Sequence, residues 1–150
     1  MSEIPEGFRP LHLPTNPFIE LCGPLYGRIT DDGQFVTGLL VEKRHCNSGD
    51  MCHGGMMMTL ADMSILLGTN MQTGLNRYLL TVNLTTDFLA AVPLGSWVEG
   101  RVQVLRRTRN LVFSQGMLSI PDGPAARTSG IFKPVGDALE RFRPDLFFAS

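Results

Sequence analysis

The sequence predicts an α+β fold in which one antiparallel sheet curls around a single long central helix. Three observations carry that expectation. From Gly54 to about Met71 a proline-free run of good helix formers interrupts a chain that elsewhere alternates polar and apolar residues. The run is apolar nearly all round, whereas a surface helix keeps a polar face, so other elements must enclose it. The segments on either side read as strands punctuated by turn residues, in the order ββ, helix, ββββ, which lets one sheet wrap one buried helix.

Taken in order, residues 1–17 hold Pro5, Pro10, Pro14 and Pro17 and little periodicity, and are expected to form an extended lead-in. Phe18 to Cys22 suits one helical turn closed by Gly23-Pro24. Leu25 to Thr30 and Gln34 to Val41 flank Asp31-Asp32-Gly33, a turn of the Asp-Gly kind that favours hairpins. After the helix, strands are expected over Tyr78 to Phe88, Ser96 to Arg107, Leu111 to Ile120 and Ala125 to Phe132. The turns between them are Pro93-Leu94-Gly95, Thr108-Arg109-Asn110 and Pro121-Asp122-Gly123. Residues 18–135 form the expected domain. The tail, 136–150, mixes charges with Leu139, Phe142, Leu146 and Phe147 and suits a short helix or an edge cover.

A chain of 150 residues buries about two thirds of its unfolded surface and needs no metal or disulfide to hold it. A net charge of −1 argues against a nucleic-acid binder, which usually carries a large basic excess. The three cysteines, Cys22, Cys46 and Cys52, are an odd count, and the first thirty residues lack a basic-then-apolar leader, so a reducing cytoplasmic setting is expected. The longest apolar stretch, Met56 to Gly68, is broken by Thr59, Asp62 and Ser64 and is shorter than the roughly 20 residues of a membrane span.

The stretch HCNSGDMCHGGMMMTLAD, residues 45–62, concentrates the chemistry. His45, Cys46, Cys52 and His53 are the right types for zinc, but a strand end at His45-Cys46 would send adjacent side chains to opposite faces. No C-x2-C or H-x3-H chelate is present, so no metal is expected, and Cys46 and Cys52 read as small buried packing. In an acyl-transfer reading, His53-Gly54-Gly55 lies at the start of the buried helix, where N–H groups lack intrahelical acceptors and the macrodipole is positive. A developing oxyanion can sit there, and glycine lets a carbonyl approach the backbone closely. The plain alternative is that the two glycines only permit tight packing.

Asp62 weighs on that choice, because an ionised carboxylate within an apolar helix is costly unless paired or facing a cavity. Its plain alternative is a partner in a loop or an arginine. Asn47, Ser48 and Gly49 form a polar turn. Asp62 lies eight residues beyond Gly54, about 12 Å along a helix axis, so one chain cannot bring both to a single carbonyl. If both act, a second copy of the helix must run alongside in the opposite sense, giving two composite sites per dimer.

Asn47, His53, Gly54, Gly55, Leu60 and Asp62, in this spacing, resemble the hotdog-fold acyl-CoA thioesterases of the phenylacetate-degradation (PaaI-like) type. The stretch TVNLTTDFLAAVPLGSWVEGRVQVLRRTRNLVFSQGML follows that family's course of a strand, a Pro-Leu-Gly turn and a long hairpin, and the resemblance covers roughly residues 35 to 132. The resemblance implies a hydrolase that needs no cofactor, coenzyme A being part of the substrate, and that assembles as a homodimer or a homotetramer of two dimers. It implies that the Gly54 N–H polarises the thioester carbonyl, that Asp62 activates water or attacks, that Asn47 orients water or substrate and that His53 supports the loop. Thr81 matches the family's Ser or Thr near that carboxylate. Gly55 would lie along coenzyme A, whose phosphates suit the forked guanidiniums of Arg106, Arg107 and Arg109; an exposed charge run is otherwise a solvated face.

Met56, Met57, Met58 and Met63 read as core, and their unbranched side chains also suit an acyl tunnel. Two other functions stay open on these residues. A dehydratase or hydratase of acyl thioesters would pair a His with a carboxylate, and a non-catalytic acyl-CoA sensor would need only binding. The acyl group, aromatic or medium to long aliphatic, is not specified.

Overall fold

A computed structural model describes residues 3–13 and 16–149. The strands are β1 (Arg9–Pro10), β2 (Tyr26–Ile29), β3 (Phe35–Leu40), β4 (Tyr78–Phe88), β5 (Trp97–Arg107), β6 (Val112–Ile120) and β7 (Gly123–Val135). The helices are α1 (Pro17–Cys22) and α2 (Gly54–Thr73). All pairings are antiparallel, in the order β1-β2-β3-β5-β6-β7-β4, which leaves β4 as an outer edge.

Three features depart from the sequence expectation. The lead-in is not merely extended, because Arg9 and Pro10 pair with Gly27 and Tyr26 as a strand. β7 begins at Gly123 and runs to Val135, since its full length pairs with β4 and β6. His45 is not at a strand end: Lys43–His45 is a 3-10 turn whose His45 Nδ1 accepts from Glu42 N–H (2.9 Å). The tail forms two further 3-10 turns, Glu140–Phe142 and Pro144–Leu146, and then returns to the lead-in, with His12 N–H donating to Phe147 O (2.6 Å) and Ala149 N–H to Pro10 O (2.9 Å).

α2 lies in the concave face of the sheet, and Leu60, Ala61, Ile65 and Leu67 are fully buried. Its depth is set by small residues. A Cβ on Gly100 would collide with Ser64 Oγ, and one on Gly68 would lie 2.8 Å from Val102 Cβ. Thr37 and Ser64 share a hydrogen bond, as do Thr69 and Ser114 (2.8 Å), so the helix's few buried hydroxyls are satisfied by the sheet. Gly74, at φ 66°, ends the helix by donating to Asn70 O (2.9 Å). Among the described residues, no helix is long and apolar enough to cross a membrane.

The enclosure is incomplete on one side. Asp62 and Leu66 are only half-buried, and the adjacent edge strand β4 exposes Leu80, Val82 and Phe88.

Candidate active site

The first part of the site is the N-terminal end of α2. His53 is the N-cap, and its Nδ1 accepts from Gly55 N–H (2.8 Å); Met57 N–H bonds back to His53 O (3.0 Å). Among the described residues this leaves the Gly54 N–H without an acceptor, at the positive end of the helix dipole. The atoms nearest to a Cβ built on Gly54 would belong to the Phe88 ring, at 3.5 Å, so Phe88 stands beside this backbone.

The loop that delivers His53 is tied at its base, where the backbones of Cys46 and Cys52, both free thiols, pair antiparallel, His53 N–H donates to His45 O (2.8 Å) and Cys52 N–H to Val92 O (2.7 Å). Asn47 lies within it, exposed, and its Oδ1 accepts from Gly49 N–H (2.9 Å) and Met51 N–H (3.2 Å). The acceptor of Asn47 is therefore committed to the turn, and its Nδ2 is the atom left to act outward.

The second part is Asp62, midway along α2. Thr81 Oγ1, on β4, donates to Asp62 Oδ1 (2.7 Å). The bulge in β4 between Thr81 and Asn83 marks where the strand turns over this carboxylate. Burial pushes the Asp62 carboxyl above its ordinary value, and the Thr81 hydrogen bond works in the opposite direction. Asp62 opens onto a cleft of about 300 Å³ that it shares with Phe18, Thr59 and Met63.

Arg106, Arg107 and Arg109 stand apart from both parts. They are exposed at the β5–β6 hairpin, where Arg107 pairs with Val112, Val112 with Phe132, and Phe132 with Thr81. Three strand spacings thus separate Arg107 from Thr81, about 14 Å. The arginines lie toward the C-terminal half of α2, since Gln72 Nε2 donates to Val102 O (2.7 Å) in β5, and so lie far from Gly54 of the same chain. Met56, Met57 and Met63 are core, and Met58 is half-buried.

The four candidate zinc ligands point to other partners. Both His45 ring nitrogens are engaged, by Glu42 N–H and Cys22 O, and His53 Nδ1 holds Gly55 N–H. Among the described residues no group of three or more His, Cys, Asp or Glu side chains could hold a metal. Two residues next to the site escaped the sequence reading, Phe88 beside Gly54 and Asn16 beside Met63 (Nδ2 to Sδ 3.8 Å). Asn16 followed by Pro17 is itself a helix-start signal, and Asn16 Oδ1 does cap α1 through Ile19 N–H (3.3 Å).

A single sheet curled around a helix that opens on glycine and carries a half-exposed carboxylate is the hotdog architecture in its thioester-handling form. The chain belongs to the thioesterase superfamily, whose sequence profile matches residues 49–124. A Pseudomonas aeruginosa protein named only provisionally as an esterase is 31% identical over 132 residues, covering 88% of this chain and 98% of its own. The PaaI protein of the E. coli phenylacetic acid degradation operon has a similar fold, with TM-score 0.72 and 20% identity over 83% of this chain and 88% of that one. A Streptococcus pneumoniae structure described as a hypothetical thioesterase with coenzyme A also matches, at TM-score 0.69 and 14% identity over 83% of this chain and all of that one. The protein is a thioester hydrolase of the hotdog fold.

Proposed function

We propose that this protein hydrolyses acyl-CoA to a free acid and coenzyme A at sites shared between two copies of the chain. The observation that carries the reading is the Asp62–Thr81 pair, a half-buried carboxylate held by one hydroxyl and open to a cleft. The Gly54 N–H and Asp62 lie on one unbroken helix, eight residues apart, which supports a carbonyl bound between Gly54 of one copy and Asp62 of the other. The unpaired edge of β4 and its exposed Leu80 and Val82 suit an antiparallel partner strand from that second copy.

In this mechanism Asp62 takes a proton from water as the water oxygen adds to the thioester carbonyl. The oxyanion faces the Gly54 N–H, and the partner's Asn47 Nδ2 orients the water or the acyl oxygen. Collapse breaks the C–S bond, and the departing thiolate recovers the proton from Asp62. Coenzyme A as the thiol portion is supported by the coenzyme A in the S. pneumoniae structure, and Arg106, Arg107 or Arg109 would meet its phosphates. Further association of dimers into a tetramer and a cytoplasmic setting belong to the same reading. His53 favours hydrolysis over dehydration, because its Nδ1 is held by Gly55 N–H rather than by a carboxylate.

The test is release of free thiol from a panel of acyl-CoAs, read with a thiol reagent. Binding without release would leave a sensor, and consumption of an enoyl-CoA with the thioester intact would mark a hydratase; either result sinks the hydrolase reading.

A further inference from the structure

Beyond the Asp62 cleft lies a second, larger cavity of about 510 Å³, built jointly by the matched region and by the segments that flank it on both sides. Its walls are Leu13 and Asn16 from the lead-in, Phe142 and Leu146 from the tail, and Met63 and Leu66 of α2. Asn16 and Met63 also line the Asp62 cleft, so the two spaces are neighbours along one face of the helix. Its volume is on the scale of small-molecule sites, roughly 300 to 1,000 Å³.

We propose that this cavity is the acyl subsite, and that the lead-in and the tail set which acyl groups the enzyme accepts. The inference rests on the thioesterase reading and extends it to the substrate. A carbonyl at Asp62 directs its acyl group either back toward α1, where a space of about 410 Å³ is lined in part by Arg44, His45 and His53, or onward past Met63 into the larger cavity of about 510 Å³. Leu66 and Leu67 stand one turn beyond Asp62 and Met63, about 6 Å along the axis, so a two-carbon group stops short of the cavity and a medium-length chain enters it.

Three charged residues at the rim are already occupied. Arg77 Nε donates to Gly136 O (2.8 Å), the Arg141 guanidinium lies over the Phe142 ring at 4.9 Å, and Glu140 faces Arg143 (3.9 Å). No buried side-chain nitrogen or oxygen among the described residues lacks a partner, so no buried group in this cavity asks for a polar occupant. The chemistry it offers is burial of hydrocarbon. The walls depend on the backbone pairing of His12 with Phe147 and of Ala149 with Pro10, which pins the tail to the lead-in. The subsite is therefore closed by segments on both sides of the matched region, which itself supplies the α2 and β4 walls.

The experiment is a chain-length series. With wild-type enzyme, kcat/KM should rise from acetyl- to decanoyl-CoA by up to about fourfold per methylene buried, the factor that removing one CH2 from water carries. Leu146 is 53% exposed, so replacing it leaves the core intact, and an unchanged melting midpoint checks this. Leu146→Trp fills the cavity and should lower kcat/KM for decanoyl-CoA by about tenfold or more while leaving acetyl-CoA unchanged. Leu146→Ala should move the preferred acyl group to a longer chain. Equal losses on both substrates, or none on either, would overturn the subsite. If the wild type releases no thiol from any acyl-CoA, the hydrolase reading falls on its own. Binding of decanoate, followed by calorimetry, then decides the cavity: saturable binding that Leu146→Trp abolishes upholds it, and absence of binding overturns it.

Discussion

Thr81 and Asp62, nineteen residues apart in sequence, meet through a 2.7 Å hydrogen bond across the gap between the edge strand and the central helix. The bond is the only side-chain partner of Asp62 among the described residues, and it leaves Oδ2 free to face a water or a thioester. A carboxylate held on one oxygen and half-shielded from solvent is positioned for proton transfer, and the expected behaviour of the enzyme follows from it.

Replacing Asp62 with Asn should leave the protein folded and lower kcat by about 10²- to 10⁴-fold, the contribution of a positioned general base. Retention of more than about a tenth of the wild-type kcat at saturating substrate rejects Asp62 as the base. Stability follows from proton linkage. Because burial raises the folded-state value, the folded protein holds this proton more tightly than the unfolded chain, whose carboxyl titrates near 3.8. The stabilising effect of that proton is full below the unfolded value and is lost as pH climbs through the raised folded one. Asp62→Asn should therefore be more stable than wild type at neutral pH, with the advantage vanishing in acid, as read from denaturant midpoints at several pH values.

The pH profile should carry the same signature. The acid limb of kcat/KM reports deprotonation of Asp62 and should lie above the ordinary carboxylate range, because desolvation outweighs the Thr81 hydrogen bond. Thr81→Ala removes the one contact that lowers it, so the limb should move further up in pH. An unmoved limb, with activity merely scaled, assigns Thr81 to packing.

Sharing of the site between copies is testable by complementation. Asn47→Asp keeps the Oδ1 acceptor for the Gly49 and Met51 N–H groups, removes the Nδ2 donor and adds a negative charge in its place. Mixing Asn47→Asp with Asp62→Asn chains by unfolding and refolding together should return roughly a quarter of wild-type activity, since about half the dimers are mixed and each has one intact site of two. Mixed dimers that remain inactive, from variants each folded and dimeric alone, contradict the shared site.

The arginines at the β5–β6 hairpin should act on the nucleotide end of the substrate. Replacing the one that contacts it, among Arg106, Arg107 and Arg109, should raise KM for full-length acyl-CoA and leave hydrolysis of an acyl-pantetheine unchanged, with some loss of kcat on the former. Equal losses on both substrates indicate a folding role.

Burial pushes the Cys52 thiol up to about 12, with Cys46 adding to the effect, so Cys52 stays protonated and unreactive at neutral pH. The Cys46→Ser/Cys52→Ser double variant and chelator-treated enzyme should both retain activity, with at most a modest loss of stability. Stoichiometric zinc that is lost together with activity in the variant would instead establish a metal site at the loop.

Local sequence was enough for much of this molecule. The proline-free apolar run marked α2 to within about two residues of its observed end at Thr73, and the Asp-Gly and Pro-x-Gly turns bounded strands whose alternation is a short-range property. Asp62 and the glycines could be singled out because a charge in an apolar helix and glycine at a helix start are costly without a reason. Packing decided the rest. Nothing near Asn47 in sequence shows that its Oδ1 is spent on Gly49 and Met51, and only the 3-10 turn at Lys43–His45 turns the His45 ring inward to Glu42 and Cys22. The meeting of Thr81 with Asp62, the separation of the arginines from Gly54, and the return of Phe147 to His12 all join residues distant in the chain. Such contacts are set by sheet order and by how deeply Gly100 and Gly68 let α2 sink, which no local pattern encodes.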